Sequence, residues 1–262
     1  MYKKTILITA VGVVAWLFWL WVEPWVASPT RFADYGLWLK PLIALGTLGS
    51  LIGLSLMFFK NIKLRILVSV LTGLPFLFVF ESNQYFFGAF ALMILLHLYA
   101  VNSIHEQATQ RIKINIREIM NHGLPMIITP ILILISFAFY FSPTVQLSVD
   151  DKQLPPTIKE VIEKTVGGFI GQEVQSLPPQ ERKQAEKQVV TEVLNQLTKL
   201  AEPYFRFFPP ILAFGMFLIL QGLSFIFVWL GTLIAVLLFW ILKKSGFFRI
   251  KMVQKEAEEL DF

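Results

Sequence analysis

The sequence predicts an all-α integral membrane protein, a polytopic bundle of six or seven transmembrane helices with a helical hairpin inserted on the extracytoplasmic side. Of its 262 residues, 55% are hydrophobic and only 16% are charged, whereas about 25% are charged in a soluble globular domain. The apolar residues also occur in uncharged blocks of about 20, the helical length that crosses a hydrocarbon core. Lipid is therefore predicted to be the main solvent of the chain.

The chain is basic, with a formal net charge of +5 and a pI near 9.3. Its Lys and Arg residues mainly flank the apolar blocks, a placement typical of membrane topology, so no nucleic-acid partner is expected. The chain contains no cysteine, which excludes disulfides, thiolate metal ligands and thiol nucleophiles.

Five apolar segments occupy the first predicted region, residues 1–142. They are Thr5–Ala27, Leu39–Phe59, Leu64–Phe80, Gln84–Val101 and Leu124–Ser142. The first is longer than the apolar core of a secretory signal, about 7–15 residues, and is predicted to remain as a span. Basic residues at the amino terminus and in the links 60–65 and 102–117 predict a cytoplasmic amino terminus and a location in the plasma (inner) membrane.

The link between the fourth and fifth spans, residues 102–123, is predicted to be an amphipathic helix on the cytoplasmic face. Apolar residues recur every four positions between 104 and 120, with the basic residues elsewhere. The cations Arg111, Lys113 and Arg117 are predicted to face anionic lipid. A short strand is the alternative, because isoleucines alternate with polar residues over 112–116.

Residues 143–203 form the predicted extracytoplasmic insert. Apolar stripes at helical spacing occur within 155–174 and within 190–201, and Pro178 and Pro179 separate them. Each stripe needs an apolar surface to bury against. This pattern predicts a helical hairpin over 154–202, or assembly of the same segment with another subunit.

The predicted carboxyl-terminal membrane region, residues 204–245, contains the uncharged block Pro209–Leu242. A tight hairpin that turns near 221–224 would give seven spans. One long, tilted helix would give six spans and a cytoplasmic polar tail, residues 246–262. The basic residues that flank the block favour six spans.

Four polar residues in or at the ends of spans are candidates for a functional role, because polar groups are costly in lipid: Glu23, Lys40, His97 and Gln221. Glu23 and Lys40 are predicted at the outer interface, extending separately into the headgroups, with an ion pair as the alternative. His97 is a proton-relay candidate that lacks an intramembrane carboxylate. Gln221 would either join two helices or lie in a turn.

Small side chains form a groove on the second span at Gly46, Gly49, Ser50 and Gly53. Such a groove lets a second helix approach closely. Packing within the bundle is the expected use, and oligomerisation is the alternative.

The motifs of zinc hydrolases, phosphate-binding loops and serine hydrolases are absent from the sequence. No catalytic residue, cofactor or metal site is therefore predicted. We expect a non-enzymatic membrane protein whose insert, 154–202, binds a protein partner, self-associates or covers the outer mouth of the helix bundle. A transporter or channel for a hydrophobic or small solute is the alternative, and it predicts a continuous polar or water-filled path between the spans.

Overall fold

The computed structural model describes residues 2–28, 34–80, 83–110, 115–150 and 178–248, with isolated positions between 159 and 166. The helices in these ranges are α1 (Tyr2–Ala27), α2 (Tyr35–Phe58), α3 (Ile62–Val79), α4 (Gln84–Gln110), α5 (Ile116–Tyr140), α6 (Pro143–Asp150), α7 (Pro179–Ala201), α8 (Phe208–Gly222) and α9 (Ser224–Lys244), and a 3₁₀ segment (Glu202–Phe207) joins α7 to α8.

The predicted polytopic helical bundle is confirmed. In the part of the chain that the structure describes, seven helical segments are long and apolar enough to cross a membrane: α1 to α5, the segment Glu202–Gly222 that includes α8, and α9. Helices satisfy their backbone N–H and C=O groups internally, which is the condition for stability in hydrocarbon. The protein is therefore an integral membrane protein.

Two helices, α2 and α5, form the centre of the bundle. Within their most apolar stretches 72% and 67% of the residues are buried, compared with 39% or less in the other five segments. Helix α1 packs against α2 and α3, and α4 packs against α3 and α5. A buried Trp19 joins α1 to α3, because its indole Nε1 donates a hydrogen bond to the Thr72 carbonyl at 2.8 Å.

The last two helices lie end to end along α5, and we call them together the terminal rod. Leu223 between them keeps a helical backbone (φ −84°, ψ −3°), and its N–H bonds to the Ile219 carbonyl. Thr129 of α5 bonds to Gln221, and Asn121, two turns nearer the start of α5, bonds to Thr232. The rod therefore runs antiparallel to α5 in one direction, where a hairpin would turn back.

Both ends of the described chain lie at one end of the bundle. The Lys3 ammonium donates to the Gly246 carbonyl at 2.9 Å and lies 5.6 Å from the centroid of the Phe247 ring. We call this the basic end, because α1, α3 and α9 bring their terminal lysines to it. Helices α1 to α5 alternate in direction, and the terminal rod runs along the bundle once. The contacts therefore describe six passes along the bundle, because the last two of the seven apolar segments make one pass together.

The opposite end carries the insert, and we call it the insert end. The Thr144 hydroxyl of α6 donates to the Ala27 carbonyl at the end of α1, at 2.8 Å. Val145, its neighbour, is buried. Helix α6 thus packs against the end of α1 immediately after α5. The sequence pattern did not indicate a helix there.

The predicted link helix over 102–123 is instead divided between two spans. Helix α4 continues to Gln110, and α5 begins at Ile116. The reason is packing: Ile104 is buried against Gly123, where a methyl group would lie only 2.6 Å from its Cγ1. Among the described residues of the link, Ile104, Ile116 and Met120 therefore extend the core of α4 and α5. Arg111 and Lys113 lie outside the described residues.

The predicted insert hairpin is described only in its second half. Helix α7 forms where the second stripe predicts a helix, beginning after Pro178. The first stripe, within 155–174, falls mostly outside the described residues, so the pairing of the two halves stays a prediction.

The six-pass arrangement predicts the side from which new thiols react, and the chain has no cysteine of its own. Lys60→Cys and Lys244→Cys should both react with a membrane-impermeant maleimide from one side of sealed vesicles. Asn195→Cys should react only from the other side. Reaction of positions 244 and 195 from the same side would contradict the arrangement.

Candidate functional site

A cavity lies in the insert-end half of the bundle, and we call it the apolar crevice. It has a volume of about 260 Å³ and is formed by α1, α2, α5 and the terminal rod. Every lining residue is apolar or a tryptophan: Phe18, Val22, Trp25, Trp38, Pro41, Leu42, Leu45, Leu132, Ile135, Leu220, Leu223, Ile226 and Phe227.

The floor of the crevice is a close crossing of α2 and α9. A methyl group at Gly231 would lie 3.3 Å from the Gly46 carbonyl oxygen and 3.1 Å from Leu124 Cδ1. The Ser50 hydroxyl lies 2.6 Å from both the Gly46 and the Gly231 carbonyl oxygens. Glycine lets the two backbones touch at this level. Above it, the larger side chains that line the crevice separate the helices.

The wall of the crevice contains the break in the terminal rod. Gly222 and Ser224 flank the break, and glycine and serine pairs are common places for a helix to bend. The Thr129 hydroxyl donates to the Gln221 side-chain oxygen at 3.2 Å beside it. Gln221 thus joins the rod to α5, as one of its two predicted roles requires, and it lies beside the break and not in a hairpin turn.

The small-residue groove of α2 is filled by helices of the same chain. Gly46 faces Leu230 and Gly231 of α9, and Ser50 contacts that helix too. Gly49 faces Leu124 and Ile128, and Gly53 faces Met120, all on α5. The groove positions the two helices that surround the crevice.

Glu23 and Lys40 are both exposed near the insert end of their helices. No ion pair joins these two described side chains. Neither residue belongs to the lining of the crevice.

His97 is fully buried between α4 and α5. Its Nε2 lies 3.0 Å from the Ile127 carbonyl oxygen, so Nε2 carries the proton that is donated. His97 Nδ1 has no partner among the described residues.

Arg117 is exposed at the basic end and lines a second cavity of about 250 Å³. Asn121, Trp229 and Thr232 share this cavity. The Thr232 hydroxyl donates to the Asn121 side-chain oxygen at 2.7 Å, which leaves the Asn121 amide hydrogens for other partners. Sequence patterns did not single out Asn121 or Thr232, because the pairing depends on how α5 and α9 align.

Buried hydroxyls in the bundle do not form a continuous polar path through the described residues. Those of Ser55, Ser69, Thr72 and Ser136 each donate to the carbonyl four residues earlier in their own helix. Because each hydroxyl donates within its own helix, it does not donate to a neighbouring helix. In the same described ranges, no three side chains of His, Asp or Glu lie close enough together to hold a metal ion.

No family model, curated protein or solved structure matches this chain. Its functional interpretation therefore depends on its own residues and contacts.

The crossing of α2 and α9 can be tested with alanine in place of glycine. Gly231→Ala should lower the free energy of unfolding by about 1–3 kcal/mol, because the added methyl group presses on a backbone carbonyl. Gly215→Ala on α8 is the control, since nothing lies within 4 Å of its methyl position. It should be neutral or stabilising by up to about 1 kcal/mol. Thermal unfolding in detergent would measure both, and equal effects would disprove the close crossing.

His97 should behave as a packed residue that joins two helices. His97→Ala should lower the free energy of unfolding by about 2–4 kcal/mol through the cavity it leaves. His97→Gln keeps a donor and most of the volume, so we expect a smaller loss. Denaturant titration in mixed micelles would rank the variants, and an unchanged stability of His97→Ala would contradict the buried position.

Proposed function

We propose that this integral membrane protein is a non-enzymatic assembly protein that binds another membrane protein through its insert end. The contact surface consists of the end of α7, the 3₁₀ segment and the start of α8. The observation that carries the proposal is a row of exposed apolar side chains along this surface.

This row, the outer stripe, follows a heptad spacing of alternating three and four residues. Its members are Leu197, Leu200, Tyr204, Phe207, Ile211, Phe214 and Leu218, with exposed fractions between 37% and 71%. Within α7 and within α8 such spacing keeps side chains on one side of the helix and is the pattern of helix pairing. Tyr204 and Phe207 lie three residues apart in the 3₁₀ segment, which has three residues per turn, so they too share one side. Val190 and Val193 continue the same spacing towards the start of α7 and are half-buried.

Contact with lipid explains the exposure of only some side chains of the outer stripe. Pro210 lies level with Tyr140 at the end of α5, since both line one groove at the insert end. Members that follow Pro210 therefore lie level with the bundle, on its outside, and can face hydrocarbon. Leu197 and Leu200 precede the candidate span Glu202–Gly222, and Leu200 is 71% exposed. Exposed apolar surface of this kind marks an interaction site.

The partner that fits is a helix that leaves the membrane at the insert end and continues into water. Such a helix would contact the outer stripe on both sides of the membrane surface, with apolar side chains at matching heptad positions. It could belong to a different protein or to a second copy of this chain, and both are forms of assembly.

The orientation follows from charge. Lys3, Lys60, Lys63, Lys243 and Lys244 lie towards the basic end, and lysine and arginine are enriched on the cytoplasmic side of membrane proteins. We propose that the basic end is cytoplasmic, that the insert is extracytoplasmic and that the protein resides in the plasma (inner) membrane.

A transporter for a hydrophobic solute is the second candidate, and the apolar crevice is the observation that favours it. The crevice is confined to one half of the bundle, with the crossing of Gly46 and Gly231 beneath it. Transport would require that crossing to open, so assembly remains the proposal.

The proposal predicts that charge on the outer stripe prevents assembly. Leu200→Glu with Tyr204→Glu should reduce recovery of partners in mild detergent at least fivefold, because a buried unpaired carboxylate is costly in an apolar interface. Asn195→Glu adds charge to the opposite face of α7 and should leave recovery unchanged. Quantitative mass spectrometry of the purified protein would measure this, with native electrophoresis for self-association.

Deletion of 154–202 should give the same loss without preventing membrane insertion. Unchanged partners and oligomeric state in both the double variant and the deletion would overturn the proposal.

A further inference from the structure

We infer that the apolar crevice is a binding site for one acyl chain of a phospholipid, which enters from the membrane between α2 and the terminal rod. This inference goes beyond assembly and does not depend on the outer stripe.

The lining defines the chemistry of the occupant. Trp25 and Trp38 lie at the insert-end rim, and the deeper lining consists of aliphatic side chains and Phe rings. Trp25 and Trp38 each already take part in another interaction. A polar or charged ligand would lose its hydration in the crevice without gaining hydrogen bonds, which is costly. An uncharged hydrocarbon chain has no such cost.

The exposed edge of the crevice lies between α2 and the terminal rod. Leu132, Ile135 and Leu45 form the deep wall and are at most 3% exposed, whereas Leu223 on the rod is 38% exposed. Leu42 on α2 is half-buried at the opposite edge of the opening. The opening therefore lies between two transmembrane helices at the level of the hydrocarbon, where lipid chains are the surrounding solvent.

Size and energetics favour a chain over an empty space. An apolar cavity of about 150 Å³ in a protein can hold benzene, and the crevice has about 260 Å³. Atoms that line an empty space lose dispersion contacts with no compensation. A chain would also touch Leu220, Leu223 and Ile226, which lie on both sides of the break in the rod. A bound chain would thus contact the rod on both sides of the break and stabilise one arrangement of its two helices.

The test uses the full chain in nanodiscs that contain a phosphatidylcholine with a diazirine at mid-chain. After illumination, peptide mass spectrometry should find adducts on crevice residues of α2 and α9, and the adduct mass should include the headgroup. Leu45→Trp fills the crevice and should reduce these adducts at least fivefold. Leu237→Trp is the matched control, because Leu237 is 53% exposed on the lipid face of α9; it should leave crevice adducts unchanged.

Leu42→Phe, at the edge of the opening, provides a milder filling variant if Leu45→Trp does not fold, and it should reduce adducts at least twofold. A free fatty acid is added in competition in a parallel experiment. If the crevice adducts then carry only the fatty acid, the phospholipid is the wrong occupant. Crevice adducts no more frequent than those on fully buried Leu54, or unchanged by both filling variants, would overturn the inference.

Discussion

The antiparallel contact of the terminal rod with α5, fixed by the glycine crossing of α9 over α2, determines most of this architecture. Helices in lipid gain little from hydrophobic burial, so close packing and a few hydrogen bonds must hold them together. Gly46, Ser50 and Gly231 allow backbone contact, and the pairs Thr129–Gln221 and Asn121–Thr232 align the rod with α5. The polar pairs lie on one side of the rod and the exposed apolar side chains on others.

The same crossing explains why the two halves of the bundle differ. At the level of Gly46 and below it, Gly231 brings α9 against α2, and Gly49 and Gly53 bring α5 against α2. Above that level, α2 and the rod separate around Leu42, Leu45 and Phe227, and the apolar crevice occupies the gap. The break at Leu223 also lies in this region, at the exposed edge of the crevice.

The sequence predicted the spans and the fold class well, because long uncharged blocks have few stable alternatives in hydrocarbon. It also identified the groove on α2, since small side chains at spacings of three and four are visible in one helix alone. It could not decide whether the chain turns or continues at 221–224. Gln, Gly and Ser occur both in tight turns and at helix bends, and only contacts with α5 distinguish them. The partners of Gln221 and His97 depend on helix alignment in the same way.

The link over 102–123 shows another limit of periodicity. Its apolar repeat predicts an amphipathic helix whether the apolar face meets lipid or protein, and Gly123 permits Ile104 to pack inside the bundle. The local pattern contains no information about which surface is available.

The most direct test of the central claim is disulfide formation by two cysteine pairs, examined separately in a chain that has no cysteine of its own. One pair is Thr129→Cys with Gln221→Cys, and the other is Asn121→Cys with Thr232→Cys. A terminal rod that runs once along α5 predicts efficient crosslinking of both pairs under mild oxidation. Crosslinking of the first pair alone would mean that the chain turns back after Gln221, and it would contradict the account.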